Sequence, residues 1–460
     1  MKTVLARSHF QRSDSPFLVF FHFLWLLVLI FTLSACGSTA FAALAKQQND
    51  GQHFSLQSRI GFRAGDDWEP SITSDRFGHI YELNKHYDVK GGKTCQGCDL
   101  HLLVQRSSDA GRTWSAPRPI APIFVKGGQY DPQIVVDPVD GRTVWATFLQ
   151  NSRSLIVAVK STDFGETWSA PMIVTNRPPG LDKDELAVRG KRIIVAYDDN
   201  FNTWTSISLD GGKSWTTHEV FPTSSQFSLS LSAGAVIDSQ GNFYISWDSF
   251  DKAHRKLGDG PSIVWVTRSS DNGQHWVRSI IDTSGAPPPC NKCGFSYLGS
   301  QMAIRIGSDD TIYLLWNGTA GKTNFVPQRI FFSRSTDHGK SYSPRIDISD
   351  APSGIEHCFP ALTVGQKAGD VRLGWMDTRT GAWNLFYRTS MDAGRHLNPT
   401  IRISSYVPGY SYLTKKGFDL PYGDYFQMTV DGENHTHIAF GEGPNYQGPG
   451  NIWVSNSVDD

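Results

Sequence analysis

The chain has no excess of positive charge. Its 43 Lys and Arg face 44 Asp and Glu, a formal net charge of −1. A nucleic-acid binder needs a basic stripe to neutralise phosphates, so that class of partner is excluded. No Ser-His-Asp constellation, phosphate-cradling Gly loop or His-Glu-x-x-His helix appears in the sequence. Cysteine is scarce, with six in 460 residues, and long apolar runs are limited to one near the N-terminus. What the chain does have is Gly (43), Phe (27) and Trp (14), set among short alternating apolar stretches. That combination favours an all-β repeat architecture.

The apolar run extends from Phe17 to Leu33, broken only by His22 and Thr32, and follows Lys2, Arg7 and Arg12. Leu33-Ser34-Ala35-Cys36-Gly37 comes next. The arrangement looks like a bacterial lipoprotein signal over residues 1–36, with Cys36 lipidated as the mature N-terminus. Two other readings stay open. Ala40-Phe41-Ala42 is a small-residue cleavage site that would release a secreted protein, and the run is nearly long enough for an uncleaved anchor. All three place the folded part outside the cytoplasm. Residues 37–52 are small and polar and read as a flexible tether, leaving 53–460 as one domain.

A repeat dominates that domain. Ser107-Ser108-Asp109-Ala110-Gly111-Arg112-Thr113-Trp114 recurs as Ser161 to Trp168, Ser208 to Trp215, Ser269 to Trp276, Ser335 to Tyr342 and Ser390 to Leu397. Ser, Asp and Gly hold in all six copies, and Leu397 alone replaces the final aromatic. The chemistry is that of a turn. The carboxylates of Asp109, Asp163, Asp210, Asp271, Asp337 and Asp392 can accept backbone N–H groups and close a hairpin. Gly supplies positive φ, and the aromatic packs between neighbouring units. These aspartates are structural, not catalytic.

Each box follows an apolar strand, and a pair of strands lies upstream, as in Ala235 to Trp247. Four strands per unit at this period make a β-propeller. A last unit, Tyr425 to Ser455, lacks its outer strand and stops at Ser457-Val458-Asp459-Asp460, where a box would begin. His53 to Ile60 stands alone before the first inner strand. The reading is a seven-bladed ring closed by this N-terminal strand, the alternative being six blades with an extra β element.

Function is expected at the channel mouth, on the face opposite the boxes. Segments leading into inner strands carry Asp67, Glu69, Tyr130, Asp131, Asp184, Glu185, Glu356, Asp424 and Tyr425. Second strands end in Asp198-Asp199, Asp248, Asn317, Asp377-Thr378-Arg379 and Glu442. An acidic, aromatic mouth suits carbohydrate, a cation or a basic ligand. The structural alternative is that these residues bind loop backbone and water.

The six boxes, with Asp377-Thr378-Arg379 and Gly423-Asp424-Tyr425-Phe426, resemble the sialidase (neuraminidase)-like Asp-box, or BNR-repeat, propeller superfamily. The resemblance implies a glycosidase at the mouth. A sialidase would need three arginines on the substrate carboxylate, a Tyr nucleophile with a Glu base, and an Asp acid/base. This sequence departs from that pattern. Arg59-Ile60-Gly61 is the nearest text to the usual Arg-Ile-Pro and falls on an outer strand. Arg63 and Arg379 are plausible mouth arginines, whereas Arg189 and Arg305 sit further along inner strands. Candidate catalytic residues are Asp67, Asp131, Glu185, Arg379 and Tyr425, and candidate binding residues are Glu69, Tyr130, Asp184, Asp248, Glu356 and Asp424. A glycosidase using two carboxylates, one with a raised pKa, is a comparable reading. So is a non-catalytic propeller that binds glycan or protein.

Cys95-Gln96-Gly97-Cys98 and Cys290-Asn291-Lys292-Cys293 form two close pairs. Local disulfides suit an extracytoplasmic chain, while a four-thiolate zinc site and free thiols stay open. Haem attachment is excluded, because Asp99 and Gly294 stand where His is required. Cys358 is unpaired in sequence. No cofactor is required, bound calcium or zinc is conceivable, and the expected state is a monomer tied to a membrane by its lipid.

Overall fold

The computed structural model describes residues 53–61, 65–90, 93–94, 100–122, 127–221, 227–251, 260–289, 300–321, 323–421, 423, 425–445 and 450–458. Residues 1–52, with Cys36 and the tether, lie outside this set, as do Arg63, Cys95, Cys98, Cys290, Cys293, Asp424, Asp459 and Asp460.

Seven antiparallel sheets form a seven-bladed propeller. Blade 1 runs Asp66–Ser74, Ile80–Tyr87, His101–Ser107 and Arg118–Pro119 from inner to outer strand. Blade 2 is Gln129–Val136, Val144–Gln150, Leu155–Ser161 and Met172–Asn176, and blade 3 is Leu181–Arg189, Arg192–Asp199, Asn202–Ser208 and Thr216–Phe221. Blade 4 is Phe227–Ile237, Phe243–Asp251, Ser262–Ser269 and Val277–Ser284. Blade 5 is Met302–Ile306, Ile312–Gly318, Arg329–Ser335 and Ile346–Asp347, and blade 6 is His357–Val364, Val371–Asp377, Asn384–Ser390 and Ile401–Arg402. Second strands such as Val144–Gln150 and Val371–Asp377 are buried along their whole length, because neighbouring blades cover both faces.

Blade 7 contains Gln427–Val430, Thr436–Gly443 and Asn451–Val458, and its outer position is taken by the N-terminus. The expected single strand is two short ones. His53 pairs with Val458, and Ser58, Arg59 and Ile60 pair with Val454, Trp453 and Ile452. Between them Ser55 N–H reaches Asn456 O, and the Gln57 side-chain carbonyl accepts Ser405 N–H. First and last strands thus share one sheet, and the ring has no open seam.

The boxes are turns, as their chemistry requires. In each, one carboxylate oxygen accepts the N–H four residues on: Thr113, Thr167, Ser214, His275, Ser341 and His396, at 2.9–3.0 Å. The other oxygen takes that residue's side chain, which is an imidazole in the boxes of His275 and His396. The leading Ser accepts the Gly N–H and donates to the Asp, as Ser161 does with Gly165 and Asp163. The Gly is left-handed, and so is the residue before it, for example Phe164 (φ 59°) and Gly165 (φ 75°).

Apolar clusters fill the spaces between blades, and the box aromatics cap them. Trp168 packs on the cluster shared by blades 1 and 2, Trp215 on that of 2 and 3, and Trp276 on that of 3 and 4. Tyr342 and Leu397 serve the next two interfaces. Trp114 sits on the seam of blades 7 and 1, against Ile60, Ile72 and Val454. The boxes therefore join blades and face away from the mouth.

Candidate functional site

Four inner strands carry the same irregularity at their mouth ends. Glu69, Asp131, Lys183 and Phe359 have φ of 55°, 50°, 51° and 52°, and the pairing register slips at each. A proline follows three of them (Pro70, Pro132 and Pro360). Proline cannot donate to a ladder, so a bulge is where it fits. A left-handed non-Gly residue costs on the order of 1–3 kcal/mol, and such strain collects at functional sites. Here each bulge turns a side chain that regular pleating would aim elsewhere.

The bulges of blades 1, 2 and 3 bring their residues together. Asp131 Oδ2 accepts the Lys183 backbone N–H at 3.2 Å. The Lys183 ammonium lies 5.5 Å from the centre of the Tyr425 ring, which comes from blade 7. On the blade 1 side, Lys85 Nζ is 3.9 Å from Glu69 Oε2 and 4.4 Å from the centre of the Tyr130 ring. The rings of Tyr87 and Trp68 complete an aromatic box around it. Burial would strip this lysine of its proton, but Glu69, Tyr87 and Asp131 outweigh burial and hold the ammonium above its usual range.

The carboxyls divide by environment. Burial acts to raise Asp131, but the ammoniums of Lys183 and Lys85 and a hydrogen bond with Asp182 outweigh it, so Asp131 stays ionised. Its neighbour Asp182 is pushed up to about 7 by burial and by the Asp131 charge, even though Arg153 stands 3.2 Å away. Glu185 is raised to about 7 by burial, partly offset by Arg305 and Lys183. Asp184 is fully buried, and burial with the charges of Asp131 and Glu185 raises it well above the carboxylate range. Burial, then Glu69, Asp131, Glu185 and Asp184, raise the Tyr425 phenol. Its hydroxyl has no hydrogen-bond partner among the described residues.

The other candidates lie in separate surroundings. Asp67 is buried and accepts from Asn84 at 3.1 Å, with His86 Nδ1 at 2.7 Å and Arg59 at 3.9 Å. Burial still raises its pKa over the lowering by His86. Asp248 is buried, its Oδ1 lacks a partner among the described residues, and burial alone raises it well above normal. Glu356 accepts the Gln328 N–H at 3.0 Å and is raised by burial to about 8. Arg379 is engaged by Asp377 at 2.9 Å and Asp350 at 2.7 Å, with its guanidinium over the Phe386 ring. Asp424 and the four paired cysteines lie outside the described residues. Among those residues, no group of three or more His, Cys, Asp or Glu is arranged to hold a metal ion. Cys358 is a buried thiol, raised by its burial.

Sequence reasoning named Glu69, Tyr130, Asp131, Asp184, Glu185 and Tyr425, which the fold brings to one place. It passed over Lys85, Asp182 and Lys183. The signal for the bulges was present: Glu69-Pro70, Asp131-Pro132 and Phe359-Pro360 recur at one position of the inner strands of blades 1, 2 and 6.

No protein-family model matches this sequence, and no curated protein matches it. Solved structures do match. A protein of unknown function from Dyadobacter fermentans is 14% identical and superposes with a TM-score of 0.52, over 90% of this chain and 100% of that one. A sialidase from Streptococcus pneumoniae is 12% identical with a TM-score of 0.44, over 88% of this chain and 70% of that one. An α-L-arabinofuranosidase from Fusarium graminearum is 14% identical with a TM-score of 0.45, over 72% of this chain and 93% of that one. At these identities the likeness is one of fold alone: the chain is a seven-bladed β-propeller.

Proposed function

We propose that this propeller is a glycoside hydrolase acting at its channel mouth with two carboxyl groups, Asp131 and Glu185. One observation carries the reading: blades 1, 2, 3 and 7 interlock Glu69, Asp131, Lys183 and Tyr425 in one cluster. Within it one carboxylate is kept ionised and a nearby carboxyl holds its proton near neutral pH. Groups whose surroundings push their pKa values apart are suited to acid and base roles. Asp131 is assigned as base or nucleophile and Glu185 as general acid. Asp182 titrates together with Asp131 and tunes it. The buried Tyr425 hydroxyl is hydrogen-bonded to none of the described carboxyls around it, which favours two carboxyls over a tyrosine nucleophile. Glu69 and Tyr130 hold Lys85 beside the cluster, and the ligand is a carbohydrate.

Incubation of the full chain with a panel of aryl glycosides tests this. The expected result is release of the aryl group that falls about 10²–10⁴-fold in Asp131→Asn and Glu185→Gln. Release no greater than in those variants sinks the reading. A non-catalytic glycan- or protein-binding propeller then follows, favoured by the same partnerless Tyr425 hydroxyl. Residues 1–36 support an extracytoplasmic location with a lipid on Cys36. A Cys36→Ser chain should lose partition into detergent, and unchanged partition would overturn the anchor.

A further inference from the structure

The chain enters the propeller on the face of the boxes. Third strands run from the mouth to that face, because each leads straight into a box, as His101–Ser107 does. Asn451–Val458 is the third strand of blade 7, and Val458 at its box end pairs with His53. Upstream of His53 in sequence lie Cys36 and the one long apolar run, residues 17–33.

The same face presents apolar side chains at its turn tips. Phe77 and Val139 stand on the turns between first and second strands of blades 1 and 2, and with Leu209, Met391 and Val458 they are 46–59% exposed. The last three share the second place of a box, in Ser208-Leu209-Asp210, Ser390-Met391-Asp392 and Ser457-Val458-Asp459. The other boxes hold Ser108, Thr162, Ser270 and Thr336 there. Across blades 1 and 2 the tips are continuous. The rings of Phe77 and Phe164 lie 5.4 Å apart, Arg142 caps Phe164 at 4.6 Å, and Arg76 donates to Val139 O at 3.3 Å. Exposed Arg76, Asp140, Glu166 and Lys191 stand among them, so both signs of charge surround the apolar tips.

The mouth side has exposed aromatics too, Phe201, Phe325 and Tyr406, so exposure by itself does not choose a face. The path of the chain does. A surface tethered beside a bilayer needs little affinity of its own, because the tether supplies the local concentration. Apolar tips on rigid turns, set among charges of both signs, fit the headgroup boundary, where apolar groups insert and polar groups stay wet.

We propose that the box face rests on the lipid bilayer that holds the N-terminus, so that the channel mouth faces away from the membrane. The inference goes beyond hydrolysis and rests only on the membrane-held part of the reading above.

Full chains carrying Leu209→Cys or, on the mouth side, Phe325→Cys are labelled with bimane, the unaltered chain serving as blank. They are then bound to phosphatidylcholine vesicles with brominated acyl chains. Bromine is expected to quench the label at position 209 more than about twofold more strongly than the label at 325. Adding Phe77→Ser and Val139→Ser to the Leu209→Cys chain should lower its quenching to the level at 325. Equal quenching at the two positions, stronger quenching at 325, or quenching at 209 that the two serines leave unchanged overturns the inference, while vesicle binding keeps the anchor. Chains that do not float with the vesicles overturn the anchor and the inference together.

Discussion

Asp238 precedes one strand of blade 4, Phe243–Asp251, and Asp248 lies within it, ten residues on. Asp238 sits in the turn on the Asp-box face. It accepts the Asn242 N–H at 2.8 Å, the Asn242 amide at 2.7 Å and the Tyr244 hydroxyl at 2.8 Å, with His338 of the next blade's box at 3.1 Å. Burial acts against its charge, but these donors outweigh it and its pKa is lowered. Asp248 lies towards the mouth end, equally buried, with one oxygen unmet among the described residues and its pKa raised. The contrast holds across the ring. On the box face Asp163 and Asp271 are drawn to about 2 by hydrogen bonds from Thr167 and His275. At the mouth Asp182 and Glu185 stand near 7 and Glu356 near 8. Local hydrogen bonds lower the box-face carboxyls, whereas burial raises most of the described carboxyls at the mouth, Asp131 being held ionised by its lysines.

The sharpest break of that contrast is Arg372→Met. Arg372 is buried on the box side and grips Asp370 with two bonds, at 3.1 and 2.9 Å. It also donates to Asn434 O at 3.0 Å and Thr436 Oγ1 at 2.6 Å, tying blade 6 to blade 7. Its loss strands the buried Asp370, at a cost of about 3–5 kcal/mol in denaturant unfolding. A cost under about 1 kcal/mol would show that box-face ion pairs do not hold the blades.

The second prediction sets the two aspartates against each other. Asp238→Ala should destabilise the protein by about 2 kcal/mol, since it removes the acceptor of four charge-assisted contacts. Asp248→Asn should leave stability unchanged or raise it by about 1 kcal/mol near pH 8, because a buried charge without full partners is costly. Equal losses at both positions would mean that Asp248 is satisfied by residues outside the described set, and the contrast of faces would fall for blade 4.

The two faces also differ in what the sequence discloses. The box is a local object: Ser161, Asp163, Gly165 and Thr167 bond to one another within seven residues. Its recurrence reveals blade, turn and face. Ring closure was legible too, because a unit without an outer strand and a strand without a unit imply each other. The mouth is made of long-range neighbours. Asp131 meets Lys183 from the next blade, and Lys183 meets Tyr425 from across the chain. Lys85 lies inside a strand whose pattern gives no hint that three rings and a carboxylate enclose it. Acidic residues at strand ends show where such a site forms. They do not show which cations reach it, because the αL bulges that decide this depend on tertiary packing.

The smallest effect is one of pH, and it has opposite signs on the two faces. An acid whose folded pKa is raised contributes stability below its ordinary pKa, and this is lost as pH rises through the folded value. Glu356 therefore favours the fold below about 4.5 and opposes it increasingly up to about 8. The box aspartates behave conversely: their stabilisation is present above about 4 and fades as pH falls towards 2. Glu356→Gln isolates the mouth's share. Its partial exposure limits the effect to under about 1 kcal/mol, about 2 °C in Tm. The fall in Tm between pH 5 and pH 8 should shrink by that amount in the variant, with the acid limb below pH 4 unchanged because the boxes set it. A change confined to the acid limb would place Glu356 with the satisfied carboxylates of the other face, and the division between mouth and boxes would then fail at blade 6.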